Sequence, residues 1–244
     1  MASAHIKVSC LDCRLAELCL PYGLGRADVQ QLSRLVNRQR LLQSDTYLYE
    51  QGSECLNLYA VKSGSFRSFM RNSDGTEQTL GFYLPGELIG LDGLENGRFS
   101  CSLIALETGA VCEVPLTKLN ALCRQVDGLQ MQLLRILGKE IASDHHKIVL
   151  LGHKTARERL AIFLLMLSSR YNRLGFSATC FSLSMRRQDI ANFLGLTIET
   201  VSRQLAQLSS QGIISIKQRA VEIHDLSALM QIVEPCHEQQ PHCS

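Results

Sequence analysis

The sequence lacks any long hydrophobic run. The longest, LAIFLLML at Leu160–Leu167, is well short of the roughly 18 residues that a membrane-spanning helix needs. The first ten residues, MASAHIKVSC, also lack the apolar stretch of a secretory signal. These two absences predict a cytoplasmic protein with no membrane partner. With 45% hydrophobic and 20% charged residues, the composition is ordinary for a globular protein.

Cysteine, in contrast, is plentiful, with ten in 244 residues. A reducing cytoplasm disfavours disulfides, so a close group of cysteines indicates metal binding or redox chemistry. Three lie within CLDCRLAELC, spaced C-x2-C-x5-C, at Cys10, Cys13 and Cys19. Zinc would usually use two CxxC pairs, and only one is present. Four scattered cysteines are interpreted as small apolar residues: Cys55, Cys101, Cys123 and Cys180.

Charge is nearly balanced overall but unevenly placed. Residues 153–224 contain ten Lys/Arg and four Asp/Glu, whereas the rest of the chain is acidic. A basic end on an acidic chain indicates a polyanionic partner, although a solvated face would have the same composition.

The first half of the chain changes from helical to strand-like. Residues 28–39, DVQQLSRLVNRQ, predict a short helix. Seven short segments with Gly or Pro turns then follow between residues 46 and 116, which predicts a β-roll or sandwich. NSDG at residues 72–75 predicts a hairpin turn.

Residues 117–151 have a helical period with a narrow apolar stripe. Spacings of three and four are typical of a coiled-coil seam, which predicts a homodimer, with a core-packing helix as the alternative. The stripe, called the seam below, consists of Leu134, Leu137, Ile141, Asp144, Ile148 and Leu151. In a parallel dimer the Asp144 carboxylates would face and repel each other, so the dimer is predicted to be marginally stable. Alternatively, Asp144 lies off the seam and is solvated.

Residues 187–209 predict a helix-turn-helix. A short helix with Ile190, Ala191 and Leu194 inward is followed by a turn at Gly195 and a second helix capped by Thr197. The apolar face of the second helix consists of Val201, Leu205 and Leu208. A hairpin, IISI-KQRA-VEI, follows.

The exposed face of the second helix suits DNA. Arg203 can donate to guanine O6 and N7, Glu199 can accept from an exposed base amine, and Ser202 can contact a base or a phosphate. Phosphate contacts are predicted for Arg186, Arg187 and Arg219. A plain surface Glu–Arg pair is the alternative, but the turn and hairpin at the expected distances argue against it.

A β-roll, a long helix and a helix-turn-helix in this order resemble the CRP/FNR family of transcription regulators, over nearly the whole chain. Within it, CLDCRLAELCLP, YAVKSG, EQTLGFYLPGELIG, LETGAVCEVP and LGLTIETVSR resemble the oxygen-sensing FNR branch. The resemblance implies an α+β fold: an N-terminal cyclic-nucleotide-binding-like β-roll, a dimerisation helix and a C-terminal winged helix-turn-helix. It also implies that Cys112 is the fourth thiol and that a [4Fe–4S] cluster is the cofactor, since such clusters take four thiolates.

The same resemblance implies a mechanism. Without oxygen the cluster is intact, and the homodimer binds double-stranded DNA at an inverted repeat close to TTGAT-N4-ATCAA and recruits or blocks RNA polymerase. Oxygen destroys the cluster and returns the protein to a monomer. Two positions depart from the branch: Arg14 follows Cys13 where a small polar residue is common, and RNSDGT at 71–76 is less acidic than a polymerase-contacting loop.

Two other functions remain open on the residues alone. GELIG at Gly86–Gly90 with Arg98 resembles a cyclic-nucleotide phosphate cassette, but Phe99 stands where a Ser or Thr is normal. A thiol redox enzyme would need a catalytic constellation, and none is found; His145 and His146 are interpreted as solvated.

The expected organisation is a cluster segment (1–27), β-roll (28–116), dimerisation helix (117–152), DNA-binding domain (153–227, helix-turn-helix 187–206) and flexible tail (228–244). Cys236, His237, His242 and Cys243 in the tail are interpreted as disordered rather than as a metal site.

Overall fold

The computed structural model describes residues 9–36 and 38–233, which form two compact units divided between His146 and Lys147. The four Cys and His residues of the C-terminal tail lie outside the described residues. Over the described ranges, no helix has the length and apolar character that crossing a bilayer requires.

The first unit begins with the cysteine segment and a single 3-10 turn at Ala16–Leu18, followed by helix α1 at Arg26–Leu35. Eight strands and two helices come next: β1 Arg38–Leu42, β2 Tyr47–Tyr49, β3 Asn57–Ser63, β4 Phe66–Arg71, β5 Glu77–Tyr83, β6 Leu88–Ile89, β7 Ser102–Ala105, β8 Gly109–Pro115, α2 Leu116–Cys123 and α3 Asp127–His153. A further 3-10 turn lies at Leu91–Leu94.

The strands form two antiparallel four-stranded sheets, ordered β1-β8-β3-β6 and β2-β7-β4-β5. Side chains from both sheets meet in one core around Phe66, Leu103 and Val111. Successive residues of a strand point to opposite faces. On β8, Val111 therefore joins this core, whereas Cys112 joins a second core that the first sheet forms with α1, α2 and the start of α3. The expected β-roll and the hairpin turn between β4 and β5 are both present.

Two boundaries in this unit differ from the sequence prediction. The first helix ends at Leu35 instead of continuing to residue 39, because the next residues form β1, which pairs along β8. The helix predicted over 117–152 is two helices, since residues 124–126 interrupt it and α3 begins only at Asp127. Leu122, just before this break, and Val126, within it, are both buried in the second core.

The second unit contains the end of α3, helix α4 at Ala156–Arg173, β9 at Cys180–Ser182, α5 at Arg187–Leu194, α6 at Ile198–Ser210, β10 at Ile214–Lys217, β11 at Ala220–Ile223 and α7 at Leu226–Val233. Thr155 caps α4 through a reciprocal pair of hydrogen bonds with Glu158. Strands β10 and β11 are the predicted hairpin, and β9 adds an unpredicted third strand beside β11. The tail prediction was wrong for residues 228–233, which belong to α7, because Leu229 is fully buried.

Candidate cysteine centre and nucleic-acid interface

Four cysteine side chains line one cavity in the first unit. Cys10, Cys13 and Cys19 come from the N-terminal segment, and Cys112 comes from the middle of β8. The remaining walls are almost entirely apolar and include Leu20, Leu32, Ala60 and Val114. Among the described residues that line the cavity, Lys62 is the one ionisable group besides the thiols. The structure thus brings together residues that are about 100 positions apart in the sequence.

Each of the three N-terminal cysteines is held by a different element. The backbone N–H of Cys10 donates to Ser33 Oγ on α1 at 3.0 Å. Lys62 Nζ on β3 donates to Cys13 Sγ at 3.1 Å. Gln132 Nε2 on α3 donates to the carbonyl oxygen of Cys19 at 3.2 Å.

A glycine permits the segment to approach the sheet. A Cβ at Gly86 would lie 2.8 Å from Leu18 Cβ, and the φ of Gly86 is +88°, a left-handed conformation that favours glycine. The sequence pattern indicated Gly86 only as part of the candidate phosphate cassette GELIG, and it indicated no role for Lys62. Gln132 was missed, because a polar residue on an amphipathic helix carries no signal that its side chain is buried.

Burial dominates the electrostatics of the thiols. Together with the neighbouring cysteine thiols, it raises the pKa of Cys19 to about 12. Burial likewise raises the pKa of Cys112 to about 11 and raises that of Cys10, while the Lys62 ammonium acts in the opposite direction on both. Four thiolates in this cavity therefore need a compensating positive charge.

The donor set fits a [4Fe–4S] cluster, which takes one thiolate on each of four irons. Across the described part of the chain, no group of three or more His, Cys, Asp or Glu side chains is arranged to hold a single metal ion. The apolar walls would also limit the access of water to such a cluster.

The seam residues of α3 lie mostly on the surface of the chain. The exposed fractions are 53% for Leu134, 56% for Ile141, 69% for Ile148 and 39% for Leu151. Leu137 is half-buried and Asp144 is exposed. Met131 and Val149 extend the stripe. An exposed apolar stripe on a helix is what a self-associating surface requires, whereas a helix that only packed on its own core would bury it.

The second unit presents α6 as predicted. Thr197 Oγ1 accepts from the N–H of Thr200 and caps the helix, and Gly195 has a φ of +61° at the turn before it. The face formed by Val201, Leu205 and Leu208 is buried. Three side chains predicted to contact DNA are exposed: Glu199, Ser202 and Arg203. Arg203 Nη2 lies 3.4 Å from Thr200 Oγ1, close to the N-terminal end of the helix, which is the end that reaches base edges.

The three arginines predicted to bind phosphate differ in exposure. Arg186 and Arg219 lie on the surface, whereas Arg187 is half-buried at the start of α5. Burial lowers the pKa of the Arg187 guanidinium, and its Nη1 has no hydrogen-bond partner among the described residues. The structure therefore favours Arg186 and Arg219 over Arg187 as phosphate contacts.

Comparison with known proteins agrees with this architecture. A model of the Crp-like helix-turn-helix domain matches residues 158–232, and a model of the cyclic nucleotide-binding domain matches residues 39–126. The transcriptional activator protein Anr of Pseudomonas protegens is 42% identical over 91% of this chain and 91% of that protein. The chain belongs to the CRP/FNR family of transcription regulators. It is a regulator with a DNA-binding domain and not an enzyme.

Two further relatives support the family assignment. The fumarate and nitrate reduction regulatory protein of Escherichia coli is 38% identical over 94% of this chain and 92% of its own length. Among solved structures, FixK2 from Bradyrhizobium japonicum is similar with a TM-score of 0.73 and 31% identity, over 80% of this chain and 96% of that one. The predicted β-roll and winged helix-turn-helix are thus confirmed.

Proposed function

We propose that this CRP/FNR family protein senses oxygen through a [4Fe–4S] cluster and controls genes of anaerobic metabolism. The observation that carries the proposal is the convergence of Cys10, Cys13, Cys19 and Cys112 on one apolar cavity. The relative named for fumarate and nitrate reduction supports the same role.

The cysteines and their neighbours have separate tasks in this proposal. A bound cluster supplies reactivity toward oxygen, which the protein's own side chains lack. Cys112 contributes a rigid anchor because it lies within a strand paired on both sides, to β1 and β3. The other three cysteines lie on a segment with little regular structure, so it can undock when its ligands are released. Lys62 offsets part of the negative charge of the four thiolates.

The output is DNA binding by a homodimer. The exposed seam on α3 supplies the self-associating surface, and two copies present two α6 helices to adjacent major grooves. Such a dimer binds a site with two-fold symmetry, an inverted repeat of the type TTGAT-N4-ATCAA, and from there it acts on RNA polymerase. Loss of the docked cysteine segment weakens the dimer, and DNA binding falls with it.

The alternative in which a cyclic nucleotide is the signal is opposed by Phe99. Its ring stacks on the ring of Tyr49 with centroids 3.7 Å apart. The same ring lies 3.0 Å from the point that a Cβ on Gly90, within the GELIG segment, would occupy. Arg98, the candidate phosphate ligand, instead donates to the carbonyl of Gly52 at 2.8 Å. The β-roll interior beside this segment is packed with protein side chains.

Anaerobic purification tests the proposal most directly. Iron, acid-labile sulfide and the visible spectrum are measured before and after exposure to air, together with binding to the inverted repeat. We expect about four irons per chain, a brown colour that bleaches in air, and a parallel loss of DNA affinity. Cys112→Ala should abolish iron binding, whereas Cys180→Ala, at an exposed cysteine of the other unit, should retain it.

Each component of the proposal can fail separately. A colourless protein that holds zinc, or no metal, would refute the cluster and leave a DNA-binding regulator with another signal. A brown protein whose DNA affinity is unchanged by air would refute oxygen sensing but not the cluster.

A further inference from the structure

Gln132 has a buried polar side chain that contacts the backbone of the cysteine segment. It lies on α3, is only 6% exposed, and donates from Nε2 to the carbonyl oxygen of Cys19. Its Oε1 atom is buried and has no hydrogen-bond partner among the described residues. Among the described residues, the amide therefore bonds through its Nε2 end but not through its Oε1 end.

The hydrogen bond depends on the cysteine segment being docked. When the segment leaves, Nε2 loses its acceptor, and the amide is left unpaired in any arrangement of α3 that keeps it buried. An unpaired buried polar group is unfavourable, so the amide favours one arrangement of α3 with the segment docked and another with the segment released. An apolar side chain of the same length would not distinguish between the two states.

Gln132 and the seam lie on the same helix, so a change in the arrangement of α3 also changes the position of the seam. Residues two apart on a helix lie on nearly opposite faces, so Leu134 faces outward where Gln132 faces the cysteine segment. A rotation or shift of α3 that repositions the Gln132 side chain therefore also moves the exposed seam. The other two side-chain hydrogen bonds to the segment among the described residues, involving Ser33 and Lys62, attach it to α1 and β3, which carry none of the seam.

We propose that Gln132 is the positioning residue through which the cysteine segment controls the dimerisation helix. This inference rests on the proposed function, because it assumes that cluster loading docks the segment and favours the dimer. The Gln132 amide then contributes part of the coupling between the two events, independently of the four thiol ligands themselves.

The test compares Gln132→Met with Gln125→Met. Methionine has nearly the shape of glutamine but donates and accepts no strong hydrogen bond, and Gln125 is an exposed residue in the break just before α3, outside the seam. For each protein, the dimer dissociation constant is measured by sedimentation, anaerobically with the cluster loaded and again after its removal. The readout is the dissociation constant of the cluster-free protein divided by that of the cluster-loaded protein. Iron per chain and thermal unfolding are followed in parallel.

We expect the ratio to be about fivefold smaller in Gln132→Met than in the wild type, the equivalent of one neutral hydrogen bond, and unchanged in Gln125→Met. Gln132→Asn, whose amide is one methylene too short to reach Cys19, should reduce the ratio equally and provides the test if the methionine variant does not fold. A wild-type ratio of one would overturn the proposed function together with this inference. A large wild-type ratio that Gln132→Met or Gln132→Asn retains would overturn the inference alone.

Discussion

The ammonium group of Lys62 lies 3.1 Å from the sulfur of Cys13, the closest approach of a cation to the four-cysteine cavity that the structure describes. Hydrogen bonds to the sulfurs and the local net charge set the reduction potential of an iron–sulfur centre. We predict that Lys62→Met lowers the midpoint potential of the loaded protein by on the order of 50 mV, the equivalent of roughly 1 kcal/mol, and shortens its lifetime in air.

Lys118→Met is the matched control for Lys62, since Lys118 is an exposed lysine on α2 outside the lining of the cavity. It should leave the potential and the lifetime unchanged. Equal potentials for Lys62→Met and the wild type would show that the ammonium does not act on the centre.

Arg14 follows Cys13 directly and is exposed. A second positive charge beside Cys13 in the chain is expected to change how fast oxidants reach the centre and react there. We predict that Arg14→Ser changes the rate of bleaching in air severalfold, measured by absorbance after anaerobic loading. Arg26→Ser, at the exposed start of α1, serves as the control, and identical decay of all three proteins would contradict a role for Arg14.

Asp144 places a carboxylate on an otherwise apolar seam. In the dimer the two carboxylates repel each other and lose hydration, so removing them stabilises association. Asp144→Ala should tighten the dimer of the cluster-free protein by about tenfold, roughly 1.4 kcal/mol, measured by sedimentation. Asp127→Ala, in the first turn of the same helix and outside the seam, should not tighten it. An unchanged cluster-free dimer in Asp144→Ala would show that Asp144 lies off the interface.

Arg203 and Arg219 should affect DNA binding in different ways. Arg203→Ala should weaken binding to the inverted repeat by about 1–3 kcal/mol and relax selectivity at one base pair per half-site, because it removes a base contact. Arg219→Ala should weaken binding to all sequences alike and reduce the salt dependence by about one phosphate contact per subunit. Titrations against the repeat and its single-base variants at several salt concentrations measure both effects. A uniform loss in Arg203→Ala would contradict its role in base recognition.

Arg159 holds three backbone carbonyls of the second unit. Its guanidinium donates to the carbonyl oxygens of Lys154, Leu194 and Leu151 at 2.8–2.9 Å, and thereby joins the ends of α3 and α5 to the start of α4. Arg159→Leu leaves these acceptors without their donor, so we expect a loss of about 2–4 kcal/mol in the free energy of unfolding of this unit. Chemical denaturation measures the loss, and Arg173→Leu, an exposed arginine at the end of α4, should cost much less. A similar stability for both variants would show that the three bonds contribute little.

Local patterns in the sequence were sufficient for the features that depend on nearby residues. The hairpin turn at 72–75, the cap at Thr197, the turn at Gly195 and the buried face of α6 all follow from spacing and turn chemistry within about ten residues. The errors occurred where distant partners decide. β1 pairs with β8 and β9 pairs with β11, and neither strand has a strong pattern of its own. Likewise, α7 is ordered because Leu229 is buried, which its neighbouring residues do not reveal.

By itself, the sequence determined which functional features the protein contains. These are three closely spaced thiols, an apolar stripe on a helix, and a recognition helix with Glu199, Ser202 and Arg203 on one face. Helical and strand periodicity are local properties, so such faces can be read from residue types alone. Only the tertiary structure decided that Cys112 shares a cavity with the N-terminal thiols, because this depends on which face of β8 packs against the second core. It also decided that Lys62 and Gln132 contact the cysteine segment, since burial and hydrogen bonding between residues far apart in the chain arise only once the chain has packed.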